Sequence, residues 1–396
     1  MRIGIDGRPL QEKFGGVKEY TLNLLHALFC LDKKNEYHIF YNFFKSPFNS
    51  PFDQGGSQGD FTQYPNVQIH NFHWPNKLLN LSLRLFNCPK LNKLIFQNYQ
   101  LPTTNYQLDL FYLPNLNFAA FSKNFKYIVT VHDLSFHHFP YFYSLKQQLW
   151  HKALNYKRLL SQATKIITVS RHTRNDLMET FGLPREKIDV VYPCLSNPPQ
   201  SPFDKGGSKD GFILYLGTLE PRKNIESLIE AYKILKKSPS NSPFVKGGSK
   251  GNFPKLVIAG PKGWRYKNIF KAAEKEPGII FLGQVNKEEK KTLYQNAKLF
   301  VFPSFYEGFG LPPLEAASHG VPIIASTASS LPEVLDEAAF YVNSWNVNEL
   351  VQAIDFLLSN ENERQKLSQA GLAQAAKFQN QQSAEKLLRI FEEVAK

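Results

Sequence analysis

The chain has 396 residues, 42% of them hydrophobic and 20% charged, and carries a formal net charge of +13. That length allows two or three domains, and that apolar content excludes a disordered chain, which could not bury enough surface to form a core. Cys30, Cys88 and Cys194 lie too far apart for a disulfide framework or a metal site. No run reaches the eighteen or more apolar residues of a membrane-spanning helix. Met1–Asp6 breaks into a Gly/Pro turn where a signal peptide would continue with an apolar stretch. We therefore expect a cytoplasmic protein, soluble or attached peripherally to the inner face of the membrane.

The basic excess sits in the front half. Through Leu195 there are 22 Lys/Arg against 13 Asp/Glu. Nucleic acid, anionic lipid headgroups or a phosphorylated substrate could use it. No stretch resembles a nucleic-acid-binding motif, and the aromatic residues follow strand spacing instead of forming a stacking platform, so no nucleic-acid partner is expected.

In chain order, Ile-, Val-, Phe- and Tyr-rich runs alternate with segments of helical period, the pattern of βα units around a parallel sheet. Strands are predicted at Arg2–Asp6, Tyr37–Phe43, Val67–Asn71, Leu108–Leu113, Tyr127–His132, Lys165–Ser170 and Ile188–Tyr192. Helical segments between them include Val17–Cys30, Leu145–Ser161 and His172–Phe181. The rhythm restarts with strands at Phe212–Leu216, Lys255–Ala259, Gly278–Leu282, Leu299–Phe302 and Pro322–Ala325, and helices at Ile225–Lys237, Lys287–Asn296 and Pro312–His319. The expected organisation is an N-terminal domain over 1–195, a linker over 196–211, a C-terminal domain over 212–375 and a final helix over 376–396 that returns to the first domain.

Three near copies of one twelve-residue sequence, Ser50–Phe61, Ser201–Phe212 and Ser242–Phe253, cut across this order. They are too few and too irregularly spaced for a solenoid. Each falls between predicted elements, where long loops are tolerated, so they read as inserted surface loops; a glycine nest for anions is the alternative.

Three stretches carry chemistry. Ile3-Gly-Ile-Asp-Gly-Arg-Pro9 followed by Phe14-Gly-Gly-Val17 leads a strand into a glycine pair that opens a helix. Without side chains at Gly15 and Gly16, their backbone N–H groups can approach a phosphate, although a plain turn has the same composition. Leu214-Tyr-Leu-Gly-Thr-Leu-Glu-Pro-Arg-Lys-Asn224 ends a buried strand at Gly217 and delivers Arg222 and Lys223 before a helix that Asn224 can cap. Arg offers a bidentate fork and Lys a point charge, which together suit a diphosphate; two solvated surface cations are the bland alternative. In Phe302-Pro-Ser-Phe-Tyr-Glu-Gly-Phe-Gly-Leu-Pro-Pro-Leu-Glu315, Glu307 lies on a loop and Glu315 is expected in the first helical turn. That arrangement suits two acceptors holding separate hydroxyls of an extended ligand better than an acid/base pair at one bond, with the helix N-terminus facing a phosphate.

Together these residues resemble the family-four retaining glycosyltransferases of GT-B architecture, the group 1, mannosyltransferase-like enzymes. The likeness rests on Glu-x7-Glu enclosing Gly-Phe-Gly-Leu-Pro-x-Leu-Glu, the upstream Gly-Thr-x-x-x-Arg-Lys-Asn and the N-terminal Gly-Gly. It implies an α/β fold of two Rossmann-like domains facing across a cleft, with C-terminal helices. It implies a nucleotide-sugar donor held by the C-terminal domain and an acceptor held by the N-terminal one. Carried over by motif, Glu307 binds donor sugar hydroxyls, Glu315 the ribose, and Arg222 with Lys223 the diphosphate, while Phe309, Gly310 and Leu311 contribute backbone contacts. His132, in Val131-His-Asp133, matches the active-site histidine beside the transferred sugar, and Gly16 approaches the donor phosphate from the opposite domain.

The chemistry this implies is metal-independent and retaining. Bond cleavage builds negative charge on the departing diphosphate. No Asp-x-Asp pair is evident in the sequence, so Arg222, Lys223 and a helix N-terminus are expected to stabilise it. The alternatives are a nucleotide-sugar epimerase or hydrolase on the same fold, or a nucleotide-sugar-binding protein without turnover. Similarity to mannosyltransferases of surface polysaccharide and O-antigen assembly, including Ser329-Ser-Leu-Pro-Glu-Val334, favours GDP-mannose over UDP-glucose as donor, with a saccharide or lipid-linked acceptor. Asn76–Gln100 mixes Leu, Ile and Phe with Lys77, Arg84, Lys90 and Lys93, as a segment at an anionic membrane surface would.

Overall fold

Most of the apolar runs are buried, and parallel strands pair only when a crossover connection, usually a helix, carries the chain back between them. In the computed structural model, which describes residues 1–12, 15–42, 61–97, 107–195, 211–237 and 253–396, this occurs twice. The first sheet contains β1 (Arg2–Asp6), β2 (Glu36–Asn42), β3 (Val67–Phe72), β4 (Leu110–Leu113), β5 (Tyr127–Val131), β6 (Lys165–Thr168) and β7 (Ile188–Val190). Its spatial order is β3-β2-β1-β4-β5-β6-β7, every pair parallel. The second contains β8 (Phe212–Leu216), β9 (Leu256–Ala259), β10 (Ile279–Gly283), β11 (Ala297–Phe302), β12 (Ile323–Ser326) and β13 (Ala339–Val342). Its order is β10-β9-β8-β11-β12-β13, again all parallel.

Both orders reverse direction once, between β1 and β4 in the first sheet and between β8 and β11 in the second. In open α/β sheets the loops at the carboxyl ends of such a pair diverge and leave a crevice suited to a ligand.

By contact the chain forms two units: Met1–Phe136, Leu145–Cys194 and Gln379–Lys396 in one, His137–Ser144 and Leu195–Phe378 in the other. The last helix, Asn380–Ala395, buries Leu387, Ile390, Phe391 and Val394, a spacing that makes one apolar face. That face belongs to the first unit, where the Phe391 ring lies 5.4 Å from Tyr112 of β4. The short segment His137–Ser144 belongs to the second unit, where Trp264 Nε1 donates to Phe142 O at 2.6 Å and the Phe142 ring stacks on Phe305 at 5.5 Å.

The bodies of the three repeats lie outside the described residues, as does Phe14 of the first glycine motif. The last phenylalanine of each repeat is described. Phe61 is buried with its ring 5.2 Å from Phe29, Phe212 opens β8, and Phe253 packs 5.4 Å from Tyr232. The copies therefore end on aromatic residues that belong to the folded units.

One buried pair makes stability sensitive to acid. His38 of β2 and His70 of β3 are buried with Nδ1 and Nε2 2.9 Å apart, a contact in which one ring donates and the other accepts. Burial, with Arg2 beside His38, pushes His38 down to about 4, and burial with His38 beside it does the same to His70. Folded values below the ordinary 6.5 mean that this stability is present above pH 6.5 and is lost as pH falls toward 4. We predict that the unfolding free energy drops across that window by on the order of 3 kcal/mol for each histidine forced to charge. Urea midpoints at pH 7, 5.5 and 4.5 check this, and the His38→Gln/His70→Gln double variant should show a flatter slope.

Candidate functional site

β8 and β11 run side by side in register, Ile213 opposite Leu299 and Leu214 opposite Phe300, so the loops leaving their carboxyl ends converge. The loop after β8 starts at Gly217, whose N–H donates to Ala259 O at 3.0 Å. There the backbone runs against Gly260, where an added Cβ would sit 1.9 Å from the Gly217 carbonyl oxygen. The absence of a side chain at Gly260 thus lets the loops after β8 and β9 lie together, and Leu219 N–H reaches Pro261 O at 2.9 Å.

This loop delivers Glu220, Arg222 and Lys223 against Glu307 from the loop after β11. Arg222 donates through Nε and Nη2 to Glu220 Oε1 at 3.0 and 2.8 Å, and through Nη1 to Tyr306 O at 3.0 Å. The same Nη1 lies 3.4 Å from Glu307 Oε2. Lys223 Nζ donates to Glu307 Oε1 at 2.6 Å and lies 5.3 Å from the centre of the Phe302 ring. Two cations and two carboxylates thus form one largely buried cluster. Burial pushes the Glu220 carboxyl above its ordinary value, a tendency opposed by Arg222 and Lys223 and reinforced by Glu307. Desolvating such charges offsets most of their attraction, so the cluster fixes geometry more than it adds stability.

Backbone contacts hold the cluster in place. Glu307 N–H donates to Ser329 Oγ at 2.7 Å, and Ser330 Oγ donates to Glu307 O at 3.0 Å, both from the loop after β12. Phe305 N–H donates to Arg222 O at 2.9 Å. Asn224 does not use its amide as the helix cap expected from the sequence. Its φ is 56°, and Nδ2 donates to Pro303 O at 3.1 Å and Ser344 O at 2.7 Å, which ties three loops together.

After Glu307 the chain turns at Gly310, whose φ of 97° favours glycine, and enters the helix Leu311–Ser318. Pro312 and Pro313 lack N–H groups, so the amide donors at this terminus come from the residues before them. Glu315 is the fifth helical residue, in the second turn and not the first as its sequence position suggested. Its carboxylate accepts from Lys290 Nζ at 2.6 Å and from Tyr294 OH at 3.0 Å, both on the helix Lys287–Asn296. Burial and Glu315 together hold the Tyr294 phenol well above its ordinary value.

Gly15, Gly16 and His132 lie in the first unit. Gly15 precedes the helix Gly16–Leu31 with φ 139°, a conformation that favours glycine, whereas a Cβ on Gly16 would meet nothing within 4 Å. His132 follows β5. Its Nε2 lies 2.9 Å from Pro114 O just after β4, and its ring meets Tyr20 of that helix edge-on at 5.0 Å. A carbonyl only accepts, so Nε2 carries the proton and, in the neutral ring, Nδ1 keeps its lone pair. Burial lowers the pKa of His132, against the pull of the Pro114 carbonyl and Asp133. Among the described residues no group of three or more His, Cys, Asp or Glu is placed to hold a metal.

The sequence reading missed Glu220, Gly260 and the backbone roles of Ser329 and Ser330. Glu220 stands inside the quoted Leu214–Asn224 motif, so its carboxylate two residues before Arg222 was the available signal. Gly260 has only a glycine after an apolar strand to mark it.

Residues 14–196 match the family described as Glycosyltransferase Family 4, and residues 200–374 match the glycosyl transferases group 1. The chain belongs to the group 1 glycosyltransferases. It is 28% identical over 390 residues to O-antigen chain mannosyltransferase B of Escherichia coli, covering 96% of each chain. It is 29% identical over 240 residues to O-antigen chain mannosyltransferase RfbU of Salmonella typhimurium, covering 57% of this chain and 62% of that one. Among solved structures, sucrose-phosphate synthase from Thermosynechococcus elongatus superposes with a TM-score of 0.72 at 19% identity, over 99% of this chain and 98% of that one. This likeness establishes the GT-B fold for the transferase.

Gly260 and Gly16 differ in what an added side chain would meet. We predict that Gly260→Ala destabilises the transferase by at least about 3 kcal/mol, the scale of an unrelieved backbone clash, seen as a large fall in the denaturant midpoint. Gly16→Ala should leave the midpoint within about 0.5 kcal/mol, as at an unobstructed site, while transfer falls. Unchanged transfer by a folded Gly16→Ala protein would remove Gly16 from the donor site.

Proposed function

We propose that this transferase moves a mannosyl residue, with retention of configuration, from GDP-mannose to a saccharide or lipid-linked acceptor in surface polysaccharide synthesis, working at the inner face of the membrane. The observation that carries the reading is the Arg222–Lys223–Glu307 cluster at the carboxyl ends of β8 and β11, where a phosphate-bearing ligand would meet two oriented cations and a carboxylate. The mannosyltransferase names of the relatives support the choice of sugar.

In this reading Lys223 and Arg222 receive the negative charge that grows on the diphosphate as the anomeric C–O bond breaks. Their orientation is already set by Glu220, Tyr306 and Glu307, so little reorganisation accompanies the reaction. The diphosphate enters as a competitor for cations that Glu307 now holds, and the carboxylate turns to donor sugar hydroxyls. Glu315, carried by the Lys290–Tyr294 pair, holds the ribose. The acceptor oxygen bonds to the anomeric carbon on the face the phosphate leaves, and its proton passes to the departing phosphate oxygen. His132, neutral at physiological pH and protonated on Nε2, presents Nδ1 as a hydrogen-bond acceptor beside the transferred sugar.

We predict that Arg222→Gln and Glu307→Gln each lower transfer by at least ~100-fold in proteins with unchanged melting behaviour, the scale of one lost preorganised partner. Activity should persist in EDTA, since side-chain cations meet the leaving charge. Proton NMR of the product should show the donor's anomeric configuration. An inverted product would reject the same-face route, free mannose formed without acceptor would make the protein a hydrolase, and an altered nucleotide sugar would make it an epimerase.

A further inference from the structure

From Phe61 to Asn175 the chain carries thirteen Lys/Arg and only two carboxylates, Asp109 and Asp133. Five of those cations, Arg84, Lys90, Lys123, Lys152 and Arg158, line one cavity of about 780 Å³ in the first unit, and no carboxylate lines it. None of the five has a carboxylate partner among the described residues. A pocket of unpaired cations attracts anionic groups.

Its rim is apolar. The end of the helix Asn76–Leu85 forms one side and the end of the helix Leu145–Ala153 another. Eight of the thirteen exposed large apolar side chains among the described residues fall in just two stretches, Trp74–Phe86 and Leu145–Trp150. Leu78, Leu81 and Leu85 recur at i, i+3 and i+7, so they share the outer face of their helix, while Leu79 and Leu83 are buried beneath. Phe86 is 74% exposed, and Leu145 and Leu149, one turn apart, are 76% and 66% exposed. Trp150 joins this rim to the cavity by meeting the ring of the lining residue Phe118 edge-on at 5.8 Å.

Exposed leucines of this kind cost free energy in water, and cations of this kind repel one another without a counter-charge. A surface that supplies an apolar layer beneath a plane of phosphates satisfies both, and a soluble anion satisfies only the second. We propose that the first unit docks on an anionic phospholipid bilayer through this face, with a phospholipid headgroup phosphate in the basic cavity and the outer leucines of the two helices in the acyl boundary. The cavity takes in Ser122–Tyr127, which lead into the amino end of β5, whereas His132 follows its carboxyl end, about 16 Å along the strand. Docking therefore uses a surface separate from that histidine. The inference rests on the membrane-side reading above and names the surface that would do the attaching.

The test is flotation of the full chain with phosphatidylcholine vesicles that contain or lack phosphatidylglycerol, alongside transfer to a soluble saccharide acceptor. The chain should bind the phosphatidylglycerol vesicles and release as salt rises. Arg84→Gln/Lys152→Gln/Arg158→Gln should weaken that binding about 100-fold, at roughly fivefold per cation lost near the surface. Leu81→Ser/Leu85→Ser/Leu149→Ser should weaken it while sparing soluble transfer. Lys267→Gln/Lys271→Gln/Lys275→Gln, an equal charge change on the second unit, should leave it intact. Transfer to the soluble acceptor without vesicle binding would overturn the docking alone, as would a capture by heparin that no vesicle matches or an equal loss in the second-unit control. Vesicle binding lost selectively in the first two variants, in a chain that transfers nothing, would uphold the docking and sink the proposed function.

Discussion

The Glu307 carboxylate, shared between Lys223 and Arg222, is the interaction around which the second unit is arranged. Burying these groups is expensive unless each finds its partner, so every loop that carries one is constrained by the others. Ser329 and Ser330 fix the backbone of Glu307, Asn224 fixes the loops that hold Pro303 and Ser344, and Gly260 clears the path for the loop that carries Arg222. A substitution at any of these supports would act on the charges through geometry.

The cluster exists where it does because of strand order. β8 and β11 are neighbours in space but distant in sequence, and the reversal between them lets two long-range loops share one end of the sheet. In the first unit the pairing of β4 with β5 brings Pro114 to His132, with Tyr20 of the first helix packed on the ring. Both units thus place polar groups beyond the carboxyl ends of their strands: a charged cluster in one, and an imidazole packed on the first helix in the other.

Much of this was legible from the residues. Apolar runs separated by helical periods identified twelve of the thirteen strands, because a parallel strand buried on both faces has an unmistakable composition. The exception, β13, is a four-residue edge strand with two partly exposed positions, too short and too mixed to stand out. Arg222, Lys223 and Glu307 could be assigned to one site because their motifs are distinctive, and the structure brings these three into contact. What the sequence concealed was partnership over distance. Asn224 read as a cap because its acceptors lie 79 and 120 residues away. The segment His137–Ser144 leaves one unit for the other and back again within eight residues, and nothing in its composition announces this. Glu315 was placed one residue too early in its helix because the helix begins at Leu311, one residue ahead of Pro312.

The central claim is a division of labour in which Lys223 and Arg222 grip the diphosphate while Glu307 addresses the sugar. Calorimetric titration of GDP, which lacks the mannosyl group that Glu307 would hold, tests it directly. Lys223→Met should weaken GDP binding by at least about tenfold, the loss of one charge-assisted contact. Glu307→Gln removes the carboxylate that competes for both cations, so GDP should bind it as tightly as the unaltered transferase or more tightly, even though transfer collapses. If Glu307→Gln weakens GDP as much as Lys223→Met does, the carboxylate and the cations do not divide the donor between them, and the account of the cluster is wrong.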